Sequence, residues 1–160
     1  MKKAQPTGRQ GFTIIELLVV ILIISIGITG SYALVGNIFA SSSLMAQRLS
    51  AAYLAQEGIE IVRNIRDSNW VNGDSWNNGI TTGNFEVDYD DLALSAYSGN
   101  KLKINNNIYN HTSGTDSIYD RKITISLNGD GSLNVAVIIT WFSNSSNHSI
   151  LIEENIYDWK

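Results

Sequence analysis

The chain has 160 residues, a formal net charge of −4, one proline and no cysteine. This length accommodates one domain of ordinary size. The lack of cysteine excludes a disulfide framework, a thiol nucleophile and a thiolate metal site. Three of the eleven basic residues lie in the first nine positions, so the rest of the chain is acidic. An acidic chain argues against a nucleic-acid-binding surface, and no nucleic acid partner is predicted.

A Gly–Phe junction separates a short basic segment from a long apolar one. The junction lies between Gly11 and Phe12, and residues 12–40 contain no lysine or arginine. About 20 apolar residues are enough to span a bilayer as a helix, so this stretch can cross a membrane. Glu16 is its only formal charge. Because a charge inside hydrocarbon costs at least about 2.5 kcal/mol, Glu16 needs a partner or a function.

The junction resembles the class III signal of type IV pilins and their relatives, in the residues Gly11-Phe12-Thr13-Ile14-Ile15-Glu16-Leu17-Leu18. The resemblance covers about the first forty residues. It implies that a prepilin peptidase cuts between Gly11 and Phe12 and methylates the new amino terminus at Phe12. It also implies that Glu16 attracts the N-terminal amine of a neighbouring subunit. In hydrocarbon, that pairing offsets two desolvation costs.

Two other interpretations of the apolar segment stay open. It is compatible with an ordinary single-pass anchor, or with a secretory signal peptide cleaved after Ser31-Tyr32-Ala33. An ordinary signal peptide, however, has no use for a glutamate at the head of its apolar region. A cut after Gly11 also precedes the apolar segment, which then survives as a structural element. The pilin interpretation accounts for both features.

Beyond Ala40 the pattern changes from wholly apolar to amphipathic. Small or apolar residues recur every three or four positions and predict one buried helical face, formed by Ala51, Leu54, Ala55, Gly58, Val62 and Ile65. Charged residues occupy much of the remainder, with Glu60–Arg63 and Arg63–Asp67 at pairing distance. Such a helix needs an apolar surface to lie on, and the C-terminal region can provide one.

The two segments together predict one long helix. It would run from Thr13 to about Arg66, a length on the order of 80 Å. The run from Tyr53 to Asp67, followed by Trp70, is similar to minor-pilin and pseudopilin sequences. This match is less exclusive than the N-terminal signal, because by itself the run is an amphipathic helix.

The residues after the helix predict a loop and two short strands. Residues 72–83 are rich in Gly, Asn, Ser and Asp, which is typical of a connecting loop. Residues 84–90 alternate apolar and acidic side chains and predict a half-buried strand. Residues 101–105 are a weaker strand candidate.

The last forty residues predict three further strands. The first covers residues 121–127 and has one apolar face, formed by Ile123, Ile125 and Leu127. Residues 128–131, Asn-Gly-Asp-Gly, are a strong hairpin signal because Asn-Gly and Asp-Gly tolerate positive φ. Residues 133–142 are a near-continuous apolar strand suited to the middle of a sheet. Residues 143–147 then turn the chain into a third strand at 149–159.

These elements predict an α+β fold, in which the long N-terminal helix packs on a C-terminal antiparallel meander. The same architecture is implied by the pilin resemblance. The predicted divisions are a cytoplasmic leader at 1–11 that is removed, a transmembrane or filament-core helix at 12–40, an amphipathic continuation at 41–67 and a globular head at 68–160.

The sequence contains none of the common catalytic, phosphate-binding or metal-binding motifs. His111 and His148 lie in Asn/Ser-rich contexts and are predicted to be ordinary loop residues. Asp88, Asp90 and Asp91 offer clustered oxygen ligands without EF-hand spacing, and they predict a solvated turn. We therefore predict a protein that is not an enzyme, with no catalytic residue, cofactor or metal site.

The resemblance implies a structural subunit of a type IV pilus or related filament, most similar to a minor pilin. Its implied partners are a prepilin peptidase, other pilin subunits in a helical filament, the inner-membrane pilus assembly machinery and, before assembly, membrane lipid. The basic leader would stay in the cytoplasm by the positive-inside tendency, which places the head outside the cytoplasmic membrane and later in a cell-surface filament. Two alternatives stay open: a pseudopilin of a type II secretion or DNA-uptake machine, and a membrane-tethered surface domain that does not polymerise.

Overall fold

The computed structural model describes residues 11–158, apart from the side chain of Ala33. The predicted leader before Gly11 and the predicted strand residue Trp159 lie outside the described residues. Within them the chain forms one helix, α1 (Ile14–Asn72), and eight strands: β1 (Gly83–Glu86), β2 (Ser95–Ala96), β3 (Lys103–Asn105), β4 (Ile108–Asn110), β5 (Thr115–Asp116), β6 (Tyr119–Leu127), β7 (Leu133–Ser143) and β8 (Ser146–Ile156).

One long N-terminal helix packs on a C-terminal antiparallel sheet, which confirms the predicted α+β fold class. The chain divides into two compact units, the first ending at Ser43 and the second beginning at Leu44. The second unit contains all eight described strands together with the C-terminal part of α1.

The helix α1 continues beyond its predicted end at Arg66 and stops before Gly73. Gly73 has a φ of +79°. Its N–H donates to the carbonyl of Trp70 (3.2 Å), and the N–H of Asp74 donates to the carbonyl of Asn69 (2.9 Å). These two bonds form a Schellman motif, which satisfies the last carbonyls of a helix and favours glycine at the left-handed position. The helix therefore includes residues that the sequence assigned to the following loop.

Five strands form the main sheet, in the order β2-β1-β6-β7-β8. Strands β6, β7 and β8 are the predicted antiparallel meander, and β7 is an interior strand as predicted. The turn between β7 and β8 is only two residues long, Asn144 and Ser145, with φ values of 50° and 61°. Positive φ at both positions is the type I′ geometry that matches strand twist. The third strand thus begins at Ser146 and ends at Ile156, earlier than predicted.

A hydrophobic core lies between α1 and the main sheet. All the residues of the predicted helical face are buried, and the strands contribute a second set: Ile123, Ile125, Leu133, Val135, Val137 and Ile139. A Cβ added at Gly58 would lie 3.0 Å from Cγ1 of Val137, so glycine permits the close approach of helix and sheet. Leu127 is 64% exposed, so its predicted place on the buried face is wrong. It lies at the hairpin end of β6, next to the turn into β7.

The buried face of β6 also contains a fully buried arginine, Arg121, which the sequence pattern did not predict. Its Nη1 donates to Glu57 Oε1 (2.8 Å) and to the Leu54 carbonyl (3.3 Å), and its Nη2 donates to the Val87 carbonyl. A buried charge is tolerated when it is paired and hydrogen-bonded. Strand β1 ends at Glu86 and does not reach Asp90 as predicted; the carbonyl of the next residue, Val87, accepts from the guanidinium and not from a neighbouring strand.

A second group of ion pairs lies on the partly exposed side of the helix. Arg63 pairs with Glu60, as predicted, and Nη2 of Arg63 also lies 2.6 Å from Glu154 Oε2 on β8. The hydrogen bond that Arg63 donates to Glu154 raises the pKa of Arg63. The predicted pair between Arg63 and Asp67 is wrong, because Asp67 pairs instead with Arg66 (2.7 Å). All three carboxylates are more than a third exposed, so these pairs contribute little to stability.

A small second sheet of three strands, in the order β4-β3-β5, lies after β2 in the chain. Strand β3 corresponds to the weak strand candidate at residues 101–105. Just before it, Leu102 is fully buried, and its N–H donates to the carbonyl of Tyr119 (2.8 Å) at the start of β6. The N–H of Ser117 donates to the carbonyl of Leu102 (2.7 Å). These bonds attach the small sheet to the main one.

We expect Arg121→Met to lower the free energy of unfolding by about 3 kcal/mol, because Glu57 and the Val87 carbonyl lose their partner. The matched change Arg63→Met removes a partly exposed arginine, and it should lower the free energy of unfolding by less than about 1 kcal/mol. Thermal unfolding of the full chain in detergent, followed by circular dichroism, measures both variants. Equal losses in the two would show that Arg121 does not hold helix and sheet together.

Candidate functional site: the N-terminal helix

The first turn of α1 is capped by Thr13. The N–H of Glu16 donates to Oγ1 of Thr13 (3.3 Å), and the N–H of Leu17 donates to its carbonyl (3.2 Å). Threonine at the N-cap with glutamate three residues later is the capping-box sequence. A carboxylate in the first turn is also favoured by the positive end of the helix dipole. Sequence reasoning missed this N-terminal cap and the place of Glu16 in the first turn, although the Thr-x-x-Glu spacing was their signal.

The structure places the predicted processing residues outside the helix. Gly11 and Phe12 precede the first helical residue, and both are exposed, with 80% of Phe12 accessible. A Cβ added at Gly11 would meet no atom within 4 Å. Glu16 lies one helical turn further on and is exposed. Among the residues that the structure describes, no basic group forms an ion pair with Glu16.

The large apolar side chains of the first unit are exposed, from Phe12 to Phe39. In the described part of the chain, α1 is the one helix long and apolar enough to cross a membrane. Exposed apolar surface on this scale is rare on soluble monomers and marks a surface that contacts lipid or another protein. The N-terminal part of α1 therefore needs an apolar environment that its own unit does not supply.

Three hydroxyl groups within this apolar stretch are satisfied by the helix itself. The hydroxyls of Ser25, Thr29 and Ser31 donate to the carbonyls four residues earlier, at 2.7, 2.8 and 2.8 Å. Such back-bonding removes the need for a solvent partner. Hydrocarbon offers no hydrogen bonds, so polar groups at membrane depth must find partners in the protein. These residues are compatible with lipid, whereas Glu16, the formal charge of this segment, needs an external partner there.

The two histidines of the second unit lie in different settings. His148 is part of strand β8, so its prediction as a loop residue is wrong, and its ring stacks on Trp141 at 5.4 Å between centroids. His111 does lie in a loop, but its side chain is only 7% exposed. Its backbone N–H and its Nδ1 lie 2.8 and 2.7 Å from Oδ1 of Asp88. His111 therefore anchors one loop to another.

The three clustered aspartates do not form the predicted solvated turn as a group. Asp88 is buried, because it receives the two contacts of His111 and its own N–H donates to Oδ2 of Asp91 (2.8 Å). Asp90 and Asp91 are exposed, as a solvated turn requires. Among the described residues, no group of three or more His, Asp or Glu side chains could hold a metal ion.

The family model of the prokaryotic N-terminal methylation motif matches residues 7–32, and this motif is the type IV pilin prepilin signal. Together with the long apolar helix, the motif supports a membrane-anchored, type IV pilin-like protein. The signal implies processing by a peptidase and assembly with other pilins. No curated protein and no solved structure matches the chain.

We expect Thr13→Ala to loosen the first turn of α1, because loss of an N-cap side chain costs about 1 kcal/mol. Amide hydrogen exchange of Glu16, measured on the full chain in detergent micelles, should accelerate about fivefold. Thr13→Ser keeps the capping oxygen and should exchange like the unchanged chain. Unaltered exchange in Thr13→Ala would contradict the capping role.

Proposed function

We propose that this chain is a non-enzymatic structural subunit, of the minor-pilin kind, in a type IV pilus or related filament. The observation that carries the proposal is the prepilin signal at residues 7–32, joined to a helix whose apolar side chains are exposed. A filament core of side-by-side helices would cover that surface. Residues 12–40 would supply the core helix, residues 41–67 its amphipathic continuation, and residues 68–160 the head displayed outside.

Processing is the first proposed step. A prepilin peptidase removes residues 1–11 and methylates the amine of Phe12, and the pilus assembly machinery of the inner membrane then extracts the helix from lipid into the filament. The exposed position of Gly11 and Phe12, ahead of the first helical turn, supports access of a protease to this peptide bond. The small side chain at Gly11 leaves room for a narrow pocket.

The second step is assembly, in which Glu16 receives the amine of a neighbouring subunit. The carboxylate is exposed, and in the described part of the chain no basic group pairs with it. In an apolar core, an unpaired carboxylate and an unpaired ammonium are each costly, and pairing them offsets both costs. The pair would also set the axial register of one helix against the next.

We expect Gly11→Leu to accumulate uncut in the membrane, because a bulky side chain would obstruct the peptidase. In the unchanged chain, mass spectrometry of protein from native membranes should find a methylated Phe12 at the amino terminus. Gly30→Ala, a change of similar kind within the apolar helix, should be processed normally. An amino terminus at Leu34 would instead indicate secretory cleavage and end the filament proposal.

We expect Glu16→Gln to be inserted and processed normally but recovered poorly in sheared surface filaments. Glutamine also fits a capping box, so the change keeps the cap while removing the charge that pairs with the amine. Ser25→Val, which removes a polar group already satisfied inside the helix, should assemble like the unchanged chain. Wild-type recovery of Glu16→Gln in filaments would show that the charge of Glu16 is not needed for assembly. A protein absent from filaments in every form would favour a simple membrane tether.

A further inference from the structure

A cavity of about 440 Å³ opens on the second unit beside the small sheet, lined by Gly99, Asn100, Lys101, Lys103, His111 and Asp116. The strand register explains how these residues meet. Lys103 on the central strand β3 pairs with Asn110 of β4 on one side and with Asp116 of β5 on the other. His111 directly follows Asn110. Three segments of the chain thus bring charged or titratable side chains to the same end of the sheet.

His111 is the buried member of this group. Nδ1 lies 2.7 Å from Oδ1 of Asp88, and an ionised carboxylate can only accept, so we assign a proton to Nδ1 in this hydrogen bond. Nε2 is on the far side of the ring from that contact, and it is buried without a hydrogen-bond partner among the described residues. Buried polar atoms are paired in the great majority of cases, so an exception calls for an explanation. A ligand in the cavity that His111 lines would provide one.

The charges at the cavity select the kind of ligand. The groups around His111 are Asp88 from the segment after β1, Lys101 just before β3, Lys103 on β3 and Asp116 on β5. With the imidazole neutral, the lining has two ammonium groups against one carboxylate, and neither lysine forms a salt bridge in the part of the chain that the structure describes. Two lysines repel a metal ion and attract an anion.

We propose that this cavity binds a tetrahedral oxyanion, as free sulfate or phosphate or as a monoester of either. Two lysine ammonium groups and the Nε2–H of a protonated His111 would donate to different oxygens. A neutral Nε2 presents a lone pair, which repels an anion, so binding takes up one proton at His111 while Nδ1 keeps its bond to Asp88. Nε2 is buried, so contact with it requires a local side-chain shift that opens this atom to the cavity.

The sign of the pH dependence follows from this proton uptake. Where the imidazole of the empty site is neutral, the occupied site holds one more proton, so a fall in pH favours binding. One coupled proton gives at most a tenfold gain in affinity per pH unit. The volume of the cavity also admits a substituent on the anion, so the same donors serve a free ion and a monoester.

The test uses the full chain in a non-ionic detergent and sodium sulfate at constant ionic strength. Sulfate keeps its charge between about pH 6 and pH 8, so any pH effect reports the protein. The chain has two histidines, and each gives a separate imidazole signal in NMR. We expect saturable movement of the His111 signal and an affinity at least about tenfold higher at pH 6 than at pH 8. Glycerol phosphate compared with inorganic phosphate at one pH then distinguishes a monoester from a free ion.

Variants separate the proposed site from general charge. In His111→Asn the amide occupies roughly the place of Nδ1 and can still donate to Asp88, but Nε2 is gone. Affinity at pH 6 should fall about tenfold or more, and the pH dependence should disappear. The matched control His148→Asn should bind like the unchanged chain, and Lys103→Met should bind more weakly.

Three results would overturn the proposal: no saturable response to sulfate, equal affinity at the two pH values, or unchanged binding in His111→Asn. If His111→Asn does not fold, the His148→Asn chain contains His111 as its one histidine and decides the matter alone. Its imidazole midpoint must then rise when sulfate is added. A midpoint that stays the same would refute the coupling of the anion to His111.

Discussion

The apolar surface of α1 is the constraint on which the rest of the structure depends. From Leu44 onward a sheet covers one face of the helix. Leu54, Val62 and Ile65 on that face are buried in an ordinary globular core. Between Phe12 and Phe39 the apolar side chains remain exposed. Because the hydrophobic effect is proportional to the apolar area removed from water, this part of the chain is stable only in lipid or against other helices. Membrane lipid and the helices of neighbouring subunits are the two environments that can cover this surface.

Within the second unit a different interaction organises the head. The guanidinium of Arg121 reaches the helix through Leu54 and Glu57, and the segment after β1 through the carbonyl of Val87. One side chain thereby joins three elements that are distant in sequence. Nearby, Asp88 receives the backbone and ring contacts of His111 and so connects that segment to the small sheet. The chain contains no cysteine, so polar contacts and packing, not disulfides, join these segments.

Much of this fold could be predicted because its elements have strong local signals. The helical face was predictable from spacing, and the hairpin after β6 was predictable from its Asn-Gly-Asp-Gly turn, where Gly131 has a φ of +86°. Element ends were less predictable. The helix continues to a Schellman motif at Gly73, and β8 begins three residues early because Asn144 and Ser145 form a two-residue turn. Such ends depend on backbone conformations that Asn and Ser can adopt but do not require.

The sequence by itself determined the fold class, the buried face of the helix and the prepilin signal, because each follows from periodicity or from a contiguous motif. It also showed that Glu16 stands alone in an apolar segment. Only the tertiary structure decided that Arg121 is buried, that Val87 leaves the sheet, and that His111 lies between Asp88 and a cavity with two lysines. These contacts join residues that are far apart in the chain. Alternation along a strand can show which side faces inward, but it cannot show which distant carbonyl or carboxylate will be there.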